Sequence, residues 1–252
     1  MAPIEQDAES IAAQGTGAGA EITDTRVTDT RVTDTGVTEA GVTEAGGIEA
    51  GVIAIVRLRS NEPADEVLEH LLAGGITAIE VTLPSPGSLA AVRRWRTRTD
   101  VRVGVGTVIS AQDAERSIEA GAQFLVTPTT SLPVLETARA AGIPVACGAL
   151  TPTEIQLAWD SGAWTVKVFP IDAMGGARYV RNLKGPLPDI PLVPTGGVTV
   201  ATTTEYAEVG CVGVGIGSAL VDERTVADGA WHRLTERAAA FTAAWEKGLA
   251  AR

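Results

Sequence analysis

Aromatic side chains, cysteine and histidine are all scarce in this sequence. Aromatic residues make up 4% of its 252 positions, and there are two cysteines and two histidines. Cys147 and Cys211 lie in apolar stretches without the spacing of metal ligands, so we interpret them as buried thiols of a reducing compartment. His70 and His232 fall within helical patterns, which favours a surface or packing role over catalysis. We therefore expect no metal site, and the many small residues, including 28 glycines, favour an α/β architecture.

Long apolar runs and clusters of basic residues are also missing. No run approaches the roughly 20 residues of a membrane span, and the first residues lack the basic and then apolar segments of a secretory signal. The formal net charge is −11, and there is no basic stripe of the kind that nucleic-acid-binding proteins carry. We expect a cytoplasmic protein that binds neither membrane nor nucleic acid.

The negative charge is concentrated in a repetitive N-terminal segment. Residues 1–51 contain ten acidic and two basic residues, and residues 22–46 repeat a five-residue unit of the type Val-Thr-Asp-Thr-Arg. A period of five matches neither a helix nor a strand, so neither form would bury a consistent apolar face. We predict that residues 1–46 are a disordered acidic tail, with a binding arm as the alternative, and that residues 47–252 form the folded domain.

Beyond the tail, short apolar runs alternate with amphipathic stretches. Eight such runs occur, at residues 52–57, 77–82, 102–107, 123–127, 144–148, 164–169, 191–195 and 211–217. The stretches between them carry helix signals, such as capping boxes at Ser110 with Asp113 and at Thr151 with Glu154. Eight β–α units in about 200 residues predict a (β/α)8 barrel, also called a TIM barrel. The alternative is an open doubly wound sheet, although the first β–α turn lacks the glycine fingerprint of dinucleotide binding.

Four polar residues interrupt these otherwise apolar runs. Arg57, Glu80, Thr107 and Lys167 each lie at or near the C-terminal end of a predicted strand. Strands of a parallel barrel are covered on both faces and are almost wholly apolar in sequence. Because barrel active sites are built at the C-terminal ends of the strands, these four side chains are candidates for the active site.

The alternation of side chains along a strand orients two of these residues. Because successive side chains point to opposite faces, Glu80 and Lys167 are predicted to point into the barrel interior. Lys167 is one of only three lysines in the chain, against 17 arginines. Burial favours the neutral form of an amine, a neutral amine attacks carbonyl carbon, and a nearby carboxylate can move the protons that imine chemistry needs. The alternative is a buried ion pair without a catalytic function.

Two glycine-rich turns close the last two predicted strands. Thr195-Gly196-Gly197 follows the seventh strand, and Gly217-Ser218 follows the eighth. Loops after these two strands of a barrel often hold phosphate through backbone N–H groups, and glycine permits the close approach. The turns therefore predict a phosphate site, with tight turning alone as the alternative.

In order and spacing, motifs between residue 51 and about residue 222 resemble those of the 2-keto-3-deoxy-6-phosphogluconate (KDPG) and 4-hydroxy-2-oxoglutarate (KHG) aldolases. The motifs that carry the resemblance are A-I-V-R (54–57), A-G-G-I-T-A-I-E-V-T-L (73–83), V-G-V-G-T-V (103–108), G-A-Q-F-L-V-T-P (121–128), T-P-T-E (151–154), V-K-V-F-P (166–170), V-P-T-G-G-V (193–198) and G-V-G-I-G-S-A-L-V (213–221). The resemblance implies a class I, Schiff-base aldolase that is a homotrimer of (β/α)8 barrels and has no metal or organic cofactor. It also implies cleavage of KDPG to pyruvate and glyceraldehyde 3-phosphate, the aldolase step of the Entner–Doudoroff pathway.

The resemblance further implies a role for each candidate residue. Lys167 in K-x-F-P would form the Schiff base, Glu80 in E-V-T-L would be the general acid/base, and Thr107 in G-x-G-T-V would help to seat the pyruvyl carboxylate. The two glycine-rich turns would bind the substrate phosphate through Thr195, Gly196, Gly197, Gly217 and Ser218.

The sequence departs from the family pattern at two places. Pro84 stands four residues after the glutamate, where many members have Arg or Asn, and Arg57 is the candidate to neutralise the substrate carboxylate instead. Cys147-Gly148 stands where members commonly have Pro-Gly. The substrate therefore stays open among KDPG, KHG and 2-keto-3-deoxy-6-phosphogalactonate. Two hypotheses with a different activity also stay open: an isomerase or lyase that uses carboxylates without an imine, and a non-catalytic sugar-phosphate-binding barrel.

Overall fold

Strands and helices alternate along the chain. The computed structural model describes residues 50–59 and 64–252, so the predicted disordered tail, residues 1–46, lies outside the described residues. The strands are β1 (Gly51–Val56), β2 (Ala78–Thr82), β3 (Arg102–Gly106), β4 (Leu125–Val126), β5 (Val145–Ala149), β6 (Thr165–Val168), β7 (Leu192–Pro194) and β8 (Gly213–Ile216). The helices are α1 (Ala64–Ala73), α2 (Ser88–Trp95), α3 (Ala111–Glu119), α4 (Leu132–Ala140), α5 (Pro152–Asp160), α6 (Ala177–Lys184), α7 (Val200–Glu208), α8 (Glu223–Ala227) and α9 (Trp231–Leu249).

The eight strands run parallel in one sheet that forms a nearly closed barrel. Neighbouring strands pair in the order β7-β6-β5-β4-β3-β2-β1-β8. Between β7 and β8 the sheet is joined by the isolated bridge of Thr195 with Gly215 and by a hydrogen bond from the Val212 N–H to the Leu192 carbonyl. The predicted (β/α)8 barrel is confirmed, and the open doubly wound sheet is wrong.

The strands lie where the apolar runs predicted them, although most are shorter than the runs. The largest difference is β4, which has two residues within the predicted run 123–127. At the start of this run, Gln123 binds β3 through its side chain as well as its backbone, because its Oε1 accepts the Val103 N–H at 2.7 Å. The run is therefore attached to β3 before regular strand pairing begins.

The helix starts follow the predicted capping chemistry in part. Thr151 and Glu154 form the predicted reciprocal capping box at the start of α5. At α3, the Ser110 side chain accepts the Asp113 N–H at 3.1 Å. The Asp113 carboxylate binds Arg116 at 2.6 Å and accepts the Ile109 N–H at 3.4 Å, so the Ser110 N–H does not complete the box.

Apolar side chains fill two layers, one on each side of the sheet. The larger layer lies between the strands and the helices. The smaller layer lies inside the barrel and consists of Ala50, Ile53, Ala78, Phe124, Val126, Ala146 and Val193. Ala78 is one inward-facing position before Glu80 on β2. The inner layer therefore closes the N-terminal end of the barrel and leaves the C-terminal end for a site.

The last helix, α9, packs against α1 and α7 and occupies the eighth helix position around the barrel. Two glycines permit this close packing, because a Cβ at Gly74 would lie 2.3 Å from the Ala238 Cβ, and one at Gly248 would lie 2.4 Å from the Thr204 carbonyl oxygen. Larger residues at either glycine would push α9 away from the barrel. In the described part of the chain, no helix combines the length and hydropathy that a membrane crossing requires.

Candidate active site

Glu80 and Lys167 face each other inside the barrel. The Lys167 Nζ lies 4.0 Å from the Glu80 Oε1, and the two side chains are 10% and 2% exposed. The predicted inward orientation of both residues is confirmed. A separation of 4.0 Å is longer than a direct hydrogen bond, so the two groups are not bound to each other. Both can therefore contact the same small ligand in the cavity above them.

The Glu80 carboxyl group has a perturbed pKa. Burial raises this pKa above its ordinary value, because the barrel interior solvates the carboxylate poorly, and the neighbouring Lys167 and Arg57 oppose the rise without cancelling it. A carboxyl group with a raised pKa holds and releases a proton more readily near neutral pH than an ordinary glutamate does. This property suits a general acid/base.

A glycine on the neighbouring strand makes room for the Glu80 carboxyl group. A Cβ at Gly106 would lie 1.6 Å from the Glu80 Oε1 and 2.2 Å from its Cδ. Any side chain at position 106 would therefore displace the carboxyl group. In the sequence, Gly106 is only a glycine within an apolar run. Its contact with Glu80 on β2 is apparent only in the fold.

The Lys167 amine lies beside an aromatic ring and a glycine. Its Nζ is 5.5 Å from the centroid of the Phe169 ring, and Gly148 on β5 is its register partner. A Cβ at Gly148 would lie 2.3 Å from the Pro128 carbonyl carbon, so this glycine lets the β4–α4 loop approach β5 closely. Phe169 and Pro128 both line the cavity above the amine, although sequence reasoning did not single them out.

Thr107 has an unusual backbone conformation. Its φ is 60°, and no other non-glycine residue in the described ranges has a positive φ. The left-handed conformation costs about 1–2 kcal/mol for a residue with a Cβ, and β-branched residues rarely adopt it. The following residue fixes the chain, because the Val108 N–H donates to the Val126 carbonyl at 3.2 Å. Strain of this kind is common at functional sites.

One cavity at the C-terminal end of the barrel brings all of the predicted site residues together. Its volume is about 1090 Å³. The nine candidates that line it are Arg57, Glu80, Thr107, Lys167, Thr195, Gly196, Gly197, Gly217 and Ser218. A neighbouring cavity of about 580 Å³ shares six lining residues with it: Arg57, Leu58, Arg59, Val221, Asp222 and Glu223.

The two glycine-rich turns form the rim of the larger cavity at β7 and β8. Gly196 and Gly197 have φ values of 96° and 68°, which favour glycine. Thr195 is 4% exposed and packs against Gly215, where a Cβ would lie 2.4 Å from the Thr195 Oγ1. The turns thus present glycine backbone at the rim, as an anion-binding loop does.

Ser85 joins two loops of the rim and was missed by sequence reasoning. Its Oγ accepts the Leu58 N–H at 3.0 Å and lies 2.9 Å from the Thr82 Oγ1. These bonds hold the backbone between Arg57 and Arg59 against the end of β2. A lone serine in a loop gives no sequence signal for a partner that lies 27 residues away.

The two departures from the family pattern lie in different places. Pro84 lines the large cavity and can contact a ligand directly. Cys147 belongs to the apolar layer between strands and helices, where burial raises the pKa of its thiol. The sheet wall therefore separates Cys147 from the cavity, and of the two departures only Pro84 lines it.

The chemistry available in the cavity is that of an amine beside a carboxyl group. Within residues 50–59 and 64–252, no three side chains of His, Cys, Asp or Glu are grouped so that they could hold a metal ion. An amine can form an imine with a 2-keto acid, and a carboxyl group with a raised pKa can move the protons.

Comparisons with known proteins agree in family and fold. The family profile of KDPG and KHG aldolases matches residues 45–237. The chain is 31% identical to a 2-dehydro-3-deoxy-phosphogluconate aldolase of Pseudoalteromonas atlantica, over 74% of this chain and 87% of the relative. It is 32% identical to the KHG/KDPG aldolase of Escherichia coli K12, over 74% of this chain and 88% of the relative.

Solved structures of similar proteins have the same fold. A KDPG aldolase from Legionella pneumophila, with pyruvate captured as a covalent carbinolamine, superposes with a TM-score of 0.71 at 28% identity, covering 81% of this chain and 98% of that one. A native KDPGal structure superposes with a TM-score of 0.72 at 30% identity, covering 79% and 96%.

Proposed function

The chain belongs to the KDPG and KHG aldolase family, whose members are carbon–carbon lyases, and we propose that it cleaves KDPG to pyruvate and glyceraldehyde 3-phosphate. The observation that carries the proposal is the 4.0 Å separation of the Lys167 amine and the Glu80 carboxyl group in the cavity. Lys167 is the nucleophile in this proposal, and Glu80 is the general acid/base.

The first half of the reaction builds an electron sink on Lys167. The neutral amine attacks C2 of the substrate and gives a carbinolamine. Glu80 in its acid form protonates the departing hydroxyl, water leaves, and a protonated imine remains. The raised pKa of Glu80 supports this step, because it keeps the acid form available.

The second half breaks the carbon–carbon bond and releases the products. Glu80, now a carboxylate, takes the proton of the C4 hydroxyl, the C3–C4 bond breaks, and its electron pair moves toward the imine nitrogen. Glyceraldehyde 3-phosphate leaves and an enamine remains. Glu80 returns a proton to C3, and water hydrolyses the imine to pyruvate and free Lys167. Positioned proton transfer of this kind contributes about 10²- to 10⁴-fold to the rate.

The two ends of the substrate are held by different parts of the cavity. Thr107 and Arg57 face the carboxylate end in this proposal. The phosphate lies at the glycine-rich turns, contacted by Thr195, Gly196, Gly197, Gly217 and Ser218. Binding of the remote phosphate holds C2 close to the amine, and such positioning lowers the barrier to attack.

The proposal is tested by borohydride reduction in the presence of pyruvate. We expect a covalent adduct on the peptide that contains Lys167, and none in Lys167→Met. Lys184→Met is the matched control, because Lys184 lies on α6 outside the cavity, and it should be labelled like the wild type. An unlabelled wild-type protein, or label on another residue, would contradict the proposed chemistry.

Pro84 is the observation that keeps a second substrate in consideration. It replaces an Arg or Asn of many family members and lines the cavity. We therefore propose a panel of KDPG, its galactonate epimer and KHG, assayed by pyruvate release. The highest kcat/KM identifies the substrate, and no release from any of them would favour a non-catalytic sugar-phosphate-binding barrel.

We also propose that the protein is a cytoplasmic homotrimer. Two large apolar side chains that follow strands β3 and β4 are exposed, Ile109 at 63% and Leu132 at 42%. Such side chains are candidates for a subunit interface. Light scattering coupled to gel filtration checks the state, and a monomer at micromolar concentration would contradict it.

A further inference from the structure

An ion pair crosses the rim of the large cavity. The Arg59 Nε donates to the Glu223 Oε1 at 2.6 Å, and both side chains line the cavity. Arg59 lies in the loop after β1, and Glu223 begins α8, five residues after Ser218. The pair therefore lies on the same cavity as the turns that are expected to bind phosphate.

This ion pair can exchange partners at little cost. The Arg59 and Glu223 side chains are 82% and 62% exposed, and exposed ion pairs of this kind contribute little to stability. The backbone beneath Arg59 is anchored, because the preceding Leu58 N–H is bound by Ser85. The guanidinium can therefore turn to another anion while the backbone at Leu58 stays in place.

The expected phosphate site has no positive charge of its own. Its five residues are threonine, serine and glycines. Two carboxylates line the same part of the rim, and each has a partner: Asp222 binds Arg237, and Glu223 binds Arg59. A dianionic phosphate that entered while Arg59 stayed on Glu223 would meet neutral groups, two already paired acids and the Asp172 carboxylate, which packs against Gly197.

We propose that Arg59 is a specificity-determining residue, which moves its guanidinium from Glu223 to the phosphate of the substrate. The inference rests on the proposed function and deepens it. A guanidinium binds phosphate through two parallel hydrogen bonds, whereas the resting pair uses Nε alone among the described contacts. Glu223 then returns to water, which solvates an exposed carboxylate well. The exchange favours phosphorylated over unphosphorylated 2-keto acids.

Steady-state kinetics of matched variants test this exchange. The measured quantity is the ratio of kcat/KM for KDPG to kcat/KM for KHG, which lacks the phosphate. Arg59→Gln should lower the ratio roughly tenfold, because a hydrogen bond to a charged group is worth about this factor or more. Glu223→Gln should raise it by about twofold to fivefold, because it frees Arg59 from a weak pair. The matched control is Arg224→Gln, since Arg224 pairs with Asp228 on the same helix and lines neither cavity.

The two variants should change the kcat/KM ratio in opposite directions, and this separates a role in specificity from a purely structural role. If the ion pair served only to fasten the loop, Arg59→Gln and Glu223→Gln would change the ratio in the same direction, and that result would overturn the inference. An unchanged ratio in Arg59→Gln would overturn it as well.

Two further measurements keep the inference distinct from the proposed function. Borohydride trapping uses pyruvate, which has no phosphate, so it reports on Lys167 alone. If trapping fails in the wild type, the proposed function fails, and inorganic phosphate then serves as the probe. Phosphate should raise the Tm of the wild type and of Arg224→Gln, and raise it less in Arg59→Gln. An equal rise in all three would overturn the role of Arg59.

Discussion

Gly106→Ala is expected to lower turnover severely by moving a single carboxyl group. The new Cβ would lie 1.6 Å from the Glu80 Oε1, so the carboxyl group must move by about 2 Å to reach an ordinary contact distance. Misplacement of a catalytic group by about 1 Å can cost on the order of 100-fold in rate. We therefore expect kcat for KDPG to fall by roughly 100-fold or more.

The stability of the same variant should fall by a smaller and measurable amount. Overpacking of a buried site costs about 1–3 kcal/mol, which urea unfolding detects. Gly185→Ala is the matched control, because a Cβ there would meet nothing closer than the Asn182 carbonyl oxygen at 3.5 Å, and its φ is −60°. We expect this control to keep the wild-type kcat.

A double variant separates the clash from other effects of the alanine. Glu80→Ala removes the atoms that the new Cβ would meet, so adding Gly106→Ala in that background should cost less than about 1 kcal/mol. The reasoning is refuted if Gly106→Ala alone turns over KDPG within about threefold of the wild-type kcat. In that case the Glu80 carboxyl group would not act from the position described.

Three other changes have expected outcomes. Thr107→Gly should raise the free energy of unfolding by about 0.5–1 kcal/mol, because it relieves a left-handed φ, and should lower kcat/KM; urea unfolding and kinetics check both effects. Glu80→Gln should gain Tm relative to the wild type as pH rises above 4.5, the ordinary pKa of a glutamate, because burial raises the pKa of Glu80 and native stability of the wild type then declines. Asp222→Ala should lose about 1 kcal/mol of helix capping at pH 7. Hydrogen bonds lower the pKa of Asp222, the larger effect coming from Thr225 and the next from Arg237. The loss should therefore disappear as pH falls below the ordinary pKa of 3.8, and acid unfolding would show this.

Much of the fold was predictable because local signals agreed with the global architecture. Each apolar run marks a strand covered on both faces, and Gly121 ends α3 with a φ of 89° that only glycine adopts readily. The half-formed capping box at Ser110 was not predictable, because the choice between the cap backbone and Arg116 depends on rotamers. The reciprocal box of Thr199 and Thr202 was missed, since a threonine at this position is not the usual signal.

The candidate site was predictable where a residue broke a local pattern. Glu80 and Lys167 stood out as charges within apolar strands, and the alternation of the strand gave their direction. Gly106, Ser85 and Arg59 broke no pattern. Their importance comes from partners on other strands or loops, and only the closed barrel brings those partners into contact.

The seam between β7 and β8 has a mechanical consequence. One isolated bridge, between Thr195 and Gly215, and the hydrogen bond from the Val212 N–H to the Leu192 carbonyl stand there in place of a full ladder. The glycine-rich turns that follow β7 and β8 at this seam are the ones proposed to bind the phosphate. A bound phosphate would thus add a contact between β7 and β8, and the barrel should become more rigid when substrate is bound. When substrate binds, amide hydrogen exchange should therefore slow first at this seam. The binding step of catalysis would then also complete the contact between β7 and β8.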